Sequence, residues 1–64
     1  MSAKPAIGTR VRVIYYGYGA TLRDCGRIGV VVRHNRTRVV VAWEDRLLGQ
    51  PREAAIDPSV LKTL

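Results

Sequence analysis

The amino-acid sequence predicts an all-β domain of five short strands, with a single 3-10 turn before the last one. Three observations carry that expectation. Arg10-Val11-Arg12-Val13-Ile14-Tyr15 alternates charged and apolar residues with the period of a half-buried strand. Two β-branched runs, Ile28–Val32 and Val39–Val41, flank a polar stretch at Asn35-Arg36 and read as a hairpin. Asp57-Pro58-Ser59-Val60 reads as an N-cap followed by proline at the first helical position, too short for more than one 3-10 turn. No helix of ordinary length and no internal repeat is expected.

Taken in order, residues 1–7 read as a flexible tail and residues 8–64 as the domain. In the first strand, Val11, Val13 and Tyr15 point to the core, and Arg10 and Arg12 point away from it. Tyr16 to Cys25 form a loop. Gly17-Tyr18-Gly19 gives it backbone freedom, Leu22 tucks it onto the body, and Arg23-Asp24 supplies turn chemistry. The second strand runs from about Arg27 to His34 and the third from about Arg38 to Glu44. Asp45 to Arg52 is a polar loop in which Leu47-Leu48 fold back. Glu53–Ile56 is the fourth strand. Leu61–Leu64 closes the chain, with Leu61 and Leu64 as anchors.

A two-residue connection at Asn35-Arg36 fixes the hairpin register. Val32 then faces Val39, Val30 faces Val41 and Ile28 faces Trp43, and these six form the core face. On the other face Arg33 opposes Arg38, Val31 opposes Val40, Gly29 opposes Ala42, and Arg27 pairs with Glu44. Like charges directly opposite one another destabilise a hairpin, so an arginine-lined tip either binds an anion or is screened by water.

Composition narrows the function classes. The chain has 64 residues, enough for one domain. A chain of this size buries only about 60% of its unfolded surface, leaving no room for a large catalytic cleft. Nine arginines and two lysines against five acids give a formal charge of +6, with an isoelectric point near 10.5. That balance favours polyanionic partners, and arginine favours bidentate contacts with phosphate or carboxylate. The single cysteine, Cys25, cannot form an internal disulfide. With no apolar export segment at the N-terminus, this points to a reducing, cytoplasmic setting. No stretch approaches the ~18 apolar residues of a membrane span. One cysteine and one histidine, His34, do not make a metal site. The dispersed acids Asp24, Glu44, Asp45, Glu53 and Asp57 offer no catalytic pair, and there is no phosphate-binding glycine loop before a helix. The expectation is a protein that is not an enzyme and needs no cofactor.

Gly26-Arg27-Ile28-Gly29-Val30-Val31 is similar to the glycine-basic-x-glycine-x-valine core of the KOW motif, found on SH3-like barrels of ribosomal proteins and transcription elongation factors. Val39–Asp45 resembles the third strand of Tudor-like barrels, and Ile56–Leu61 resembles their 3-10 turn and last strand. The resemblance implies a small five-stranded SH3-like barrel over residues 8–64. Its motif spans about six residues. The chain departs from the pattern in its longer Tyr15–Cys25 loop and in having Cys25 where a basic residue often precedes the glycine.

Two functional readings follow. The first is nucleic-acid binding, to DNA or RNA with weak sequence selectivity, through Arg10, Arg12, Arg23, Arg27, Arg33, Arg36 and Arg38, with Tyr16 and Tyr18 as stacking surfaces. The second is a protein-interaction module, a subunit or inhibitor, in which Val31, Val40 and Ala42 meet an acidic protein or a second copy of the chain. An aromatic cage of Tyr16, Tyr18 and Trp43 for a methylated cation is disfavoured by the positive charge.

Overall fold

The computed structural model describes residues 4–45 and 52–64. Within them the chain forms five antiparallel strands: β1 (Arg10–Val13), β2 (Ile28–His34), β3 (Val39–Trp43), β4 (Glu53–Ile56) and β5 (Leu61–Thr63). They make one sheet in the order β4-β3-β2-β1-β5. The described residues contain no α-helix. Their only helical pieces are 3-10 turns at Leu22–Asp24 and Pro58–Val60. The second turn starts as its residues dictate: the Asp57 carboxylate accepts from the Ser59 N–H at 2.9 Å, and Pro58 follows the cap. The expected folding-back of Leu47-Leu48 lies outside the described residues.

The core is built almost entirely from β-branched side chains. Val11, Val13, Val31, Val39, Val41 and Ile56 are its largest fully buried members, joined by Val60 and Ala20. Each buried valine or isoleucine contributes on the order of 1.5–3 kcal/mol by leaving water. Half-buried Trp43 and Leu61 pack against both halves of this core and join them.

The β2–β3 register differs from the expected one. Gly29 faces Trp43, Val30 faces Ala42 and Val31 faces Val41, and past an irregularity at Val32, Arg33 faces Val40 and His34 faces Val39. The turn is centred one residue further along than expected, on Arg36-Thr37, and is closed by the Asn35 N–H donating to the Arg38 carbonyl at 2.8 Å. Moving the turn centre by one residue shifts the pairing by two, and the bulge at Val32 takes one back. A net slip of one turns β2 over. Val31 and Gly29 therefore line the core, while Ile28, Val30 and Val32 are only half-buried. The β3 side of the expected core, Val39, Val41 and Trp43, stands. Arg33 does not oppose Arg38, which lies outside β3.

Gly29 explains the choice of face. A Cβ there would collide with Val41 Cγ1 and the Ala42 carbonyl oxygen. Placing Gly29 inside leaves its cross-strand partner, the Trp43 ring, room to pack. Val31 and Val40, expected on an exposed outer face, are buried, and Ala42 is half-buried.

The first loop also departs from expectation. β1 ends at Val13, with one further bond towards the chain before β5, the Ile14 N–H donating to the Val60 carbonyl at 2.9 Å. Tyr15 thus leaves the strand period and is 58% exposed. Leu22 is 72% exposed, and Ala20 takes the anchoring position instead. At the N-terminus, residues 4–9 run against the hairpin. Gly8 N–H donates to the Val31 carbonyl at 2.7 Å, and Val31 N–H donates to Thr9 at 3.0 Å. Leu61 packs as an anchor, whereas Leu64 is exposed.

Replacing Gly29 by alanine will force Val41 or the β3 backbone to move. The expected loss is about 1–3 kcal/mol of unfolding free energy, read as a lower urea midpoint at unchanged slope. An unchanged midpoint would show that β3 is not packed this tightly on β2.

Candidate nucleic-acid interface

The acidic side chains of this chain are occupied internally. Glu44 receives a two-pronged contact from Arg10, Nε to Oε2 at 2.7 Å and Nη2 to Oε1 at 3.0 Å. Arg27 reaches Asp24 at 3.1 Å and Asp45 at 3.1 Å, while its guanidinium lies 4.2 Å from the Trp43 ring centroid. Arg33 pairs with Glu53 at 2.9 Å. The fifth acid, Asp57, caps the second 3-10 turn. The expected Arg27–Glu44 pair is replaced because the slipped register brings Glu44 to Arg10 and leaves Arg27 between Asp24 and Asp45. Only 10% of the Arg27 side chain is exposed, so it serves as a packing element that clasps the first loop to the end of β3.

Seven described cations have no carboxylate partner: Lys4, Arg12, Arg23, Arg36, Arg38, Arg52 and Lys62. Two groups among them are brought together by the fold. Arg12 on β1 stands directly opposite Lys62 on β5, both exposed. This is the like-charge cross-strand pair that the sequence suggested at Arg33 and Arg38, now in a different place. The second group is the hairpin tip. Lys4 Nζ donates to the carbonyls of Asn35 and Arg36, the latter at 2.7 Å, and His34 Nε2–H donates to the Pro5 carbonyl at 2.7 Å. The N-terminal segment thereby adds a third cation to Arg36 and Arg38. The two groups lie on the order of 20 Å apart along the strand direction, given about 3.3 Å per residue between Ile28, beside Arg12, and His34.

The tyrosines are all exposed. Tyr15 and Tyr16 stack with ring centroids 4.8 Å apart at 31°. Tyr18 and Gly19 form the centre of a two-residue turn in which Gly17 and Ala20 exchange both backbone hydrogen bonds, at 2.7 and 3.0 Å. Arg38 lies against this turn, 3.1 Å from the position a Cβ on Gly19 would occupy. A shallow groove of about 400 Å³ runs beside the tip between Arg33, His34, Asn35 and β4 residues Glu53–Ala55. Among the described residues, no His, Cys, Asp or Glu cluster is placed to hold a metal ion, and no helix is long and apolar enough to cross a membrane.

Of the site residues named from sequence, Arg12, Tyr16, Tyr18, Arg23, Arg36 and Arg38 are exposed and outside ion pairs. Arg10 and Arg33 are exposed but paired, and Arg27 is largely enclosed. Lys4 and Lys62 were missed. The place of Lys62 next to the anchoring Leu61 carried a signal for it, whereas the return of Lys4 to the tip left none in local sequence. No family model, no curated protein and no solved structure matches this chain.

Three carboxyls titrate below their ordinary values. The hydrogen bond from Arg10 lowers Glu44, and the Ser59 backbone bond lowers Asp57. Burial would raise Asp24, but bonds from the Thr21 amide and Arg27 outweigh it and lower it. A depressed carboxyl binds protons more weakly in the folded state than in the unfolded one. Its stabilisation is therefore present above the ordinary carboxylate value near 4 and is lost as pH falls through the depressed values. The melting temperature should be level above about pH 5 and fall steadily below pH 4. In Asp24→Asn that acid-side decline should be shallower, as followed by circular dichroism. A decline as steep as in the wild type would mean that Asp24 is not held ionised by these contacts.

Arg27→Lys should destabilise the fold by about 1 kcal/mol, because an ammonium cannot stack on Trp43 and fork to two carboxylates at once. Chemical denaturation followed by Trp43 fluorescence checks it.

Proposed function

We propose that this chain is a small SH3-like barrel with a KOW-like β1–β2 segment that binds nucleic acid electrostatically, with little sequence selectivity. The order β4-β3-β2-β1-β5 and the 3-10 turn before β5 support the barrel reading. So does the bond from the Asp57 N–H to the Tyr18 carbonyl, which ties the end of β4 to the loop after β1. The two motif glycines have physical roles: Gly26 adopts φ +88°, and Gly29 sits under Val41. The motif's basic residue, Arg27, is engaged by Trp43, Asp24 and Asp45, so charge for a ligand comes from elsewhere on the surface.

One observation carries the functional reading. Every acid has an internal partner or cap, so the excess positive charge faces outward, and at Arg12 and Lys62 it is held in an unfavourable pair. A phosphate between two cations turns that repulsion into attraction. Backbone contacts of this kind give affinity without base discrimination. The competing partner, an acidic protein surface, loses the apolar contact it was expected to use, since Val31 and Val40 are buried. A pull-down after nuclease treatment separates the two, because a protein partner survives it.

Affinity for labelled DNA and RNA, titrated at several salt concentrations, should fall steeply as salt rises. Arg36→Ala/Arg38→Ala should weaken binding and flatten the log–log salt slope by about 1 to 2. Lys62→Glu gives a sharper test. It converts the repelling pair with Arg12 into an attracting one, adding about 0.2–1 kcal/mol of stability while reducing affinity. Loss of both stability and affinity would argue against this reading, as would absence of binding at low salt.

A further inference from the structure

We infer that Tyr18 is a base-stacking platform, and that the preferred ligand is single-stranded nucleic acid rather than duplex; this rests on the nucleic-acid reading above. Tyr18 has φ +51° and Gly19 has φ +98°. Positive φ at both central residues defines a type I′ turn, whose first central position favours Asn, Asp or Gly. A tyrosine there is an outlier among bulky residues and holds local strain that the surroundings must support. They do so from two sides. The Tyr18 carbonyl accepts from the Asp57 N–H at 3.0 Å, and Gly19 rests on the Ala55 carbonyl so closely that no Cβ would fit.

Burial does not account for this tyrosine, because Tyr18 is 67% exposed. The turn instead lifts an aromatic ring into solvent from a rigid base. The residue beside it in the turn, Gly19, is the one that Arg38 lies against, and Arg38 also acts electrostatically on Asp57. A ring on a fixed turn whose glycine meets an exposed cation is what an unpaired nucleotide needs: a π-face for the base and a positive charge for the neighbouring phosphate. A duplex hides its base faces and would use only the cations.

The test compares a labelled oligothymidylate of about 12 nucleotides, within the footprint of one small barrel, with a duplex of equal length. Wild-type protein should prefer the single strand. Tyr18→Asn suits the turn, so its melting temperature should equal or exceed that of the wild type. Its affinity for the single strand should fall roughly 5- to 100-fold, with little change for duplex. Tyr18→Phe keeps the ring and should bind within about twofold of the wild type, since stacking needs only the π-face. Two outcomes overturn the stacking role while leaving nucleic-acid binding intact: undiminished single-strand affinity in Tyr18→Asn, or a wild-type preference for duplex. Failure of the wild type to bind either probe at low salt overturns both readings.

Discussion

The tight approach of β2 to β3 at Gly29 organises this small domain. Because that residue has no side chain, the Val41 methyl and the Ala42 carbonyl can close over it, and Trp43 can lie across from it. This places Val31, rather than Val30 or Val32, in the core. The bulge at Val32 reconciles that inner register with the displaced tip turn. The surface follows: with β2 turned this way, Glu44 meets Arg10 instead of Arg27, Arg33 reaches Glu53, and Arg27 is released to lie on Trp43. One steric constraint thus decides which apolar residues are buried and which cations keep a carboxylate.

The charge pattern that results is asymmetric. Exposed ion pairs such as Arg10–Glu44 and Arg33–Glu53 add little to stability in water and weaken further with salt. Their greater consequence is to remove acids from the field that a ligand would feel. The Arg27 clasp is different, being largely enclosed and holding the first loop, the start of β2 and the end of β3 together. Screening by salt should weaken the outward-facing cations more than it weakens this clasp.

Much of the fold was legible because each strand carries its own signal. Arg10–Val13 alternates, Val39–Val41 is a β-branched run leading to a large aromatic at Trp43, and Asp57-Pro58 marks a turn start that no neighbour needs to explain. β2 was legible as a strand but not in its facing. Ile28 and Val30–Val32 are apolar in both phases, so periodicity could not choose, and the choice fell to the missing side chain of Gly29. Tyr15 continued the alternation on paper, but the strand ends at Val13 and its last ladder bond is that of Ile14 to Val60. The arginines were legible as a cluster while their partners were not, because Arg10–Glu44 and Arg33–Glu53 join residues far apart in sequence. The return of Lys4 to the hairpin tip is equally non-local.

Among the described residues, two features run against local preference: Tyr18 in a left-handed turn conformation, and Arg12 opposite Lys62. A domain of this size has a total stability of roughly 3–10 kcal/mol, and a residue held in a sparsely populated backbone region costs on the order of 1–3 kcal/mol. Such features are a substantial fraction of the margin. The core offers no reason for either, since both side-chain sets face solvent and neither fills a cavity. Elsewhere the local choices agree with the fold: a valine core, a capped 3-10 turn, glycine where no Cβ fits. In a sequence that is otherwise consistent with its structure, the exceptions are where function is expected. Here both exceptions present groups suited to one kind of ligand, a ring face in one case and paired positive charge in the other.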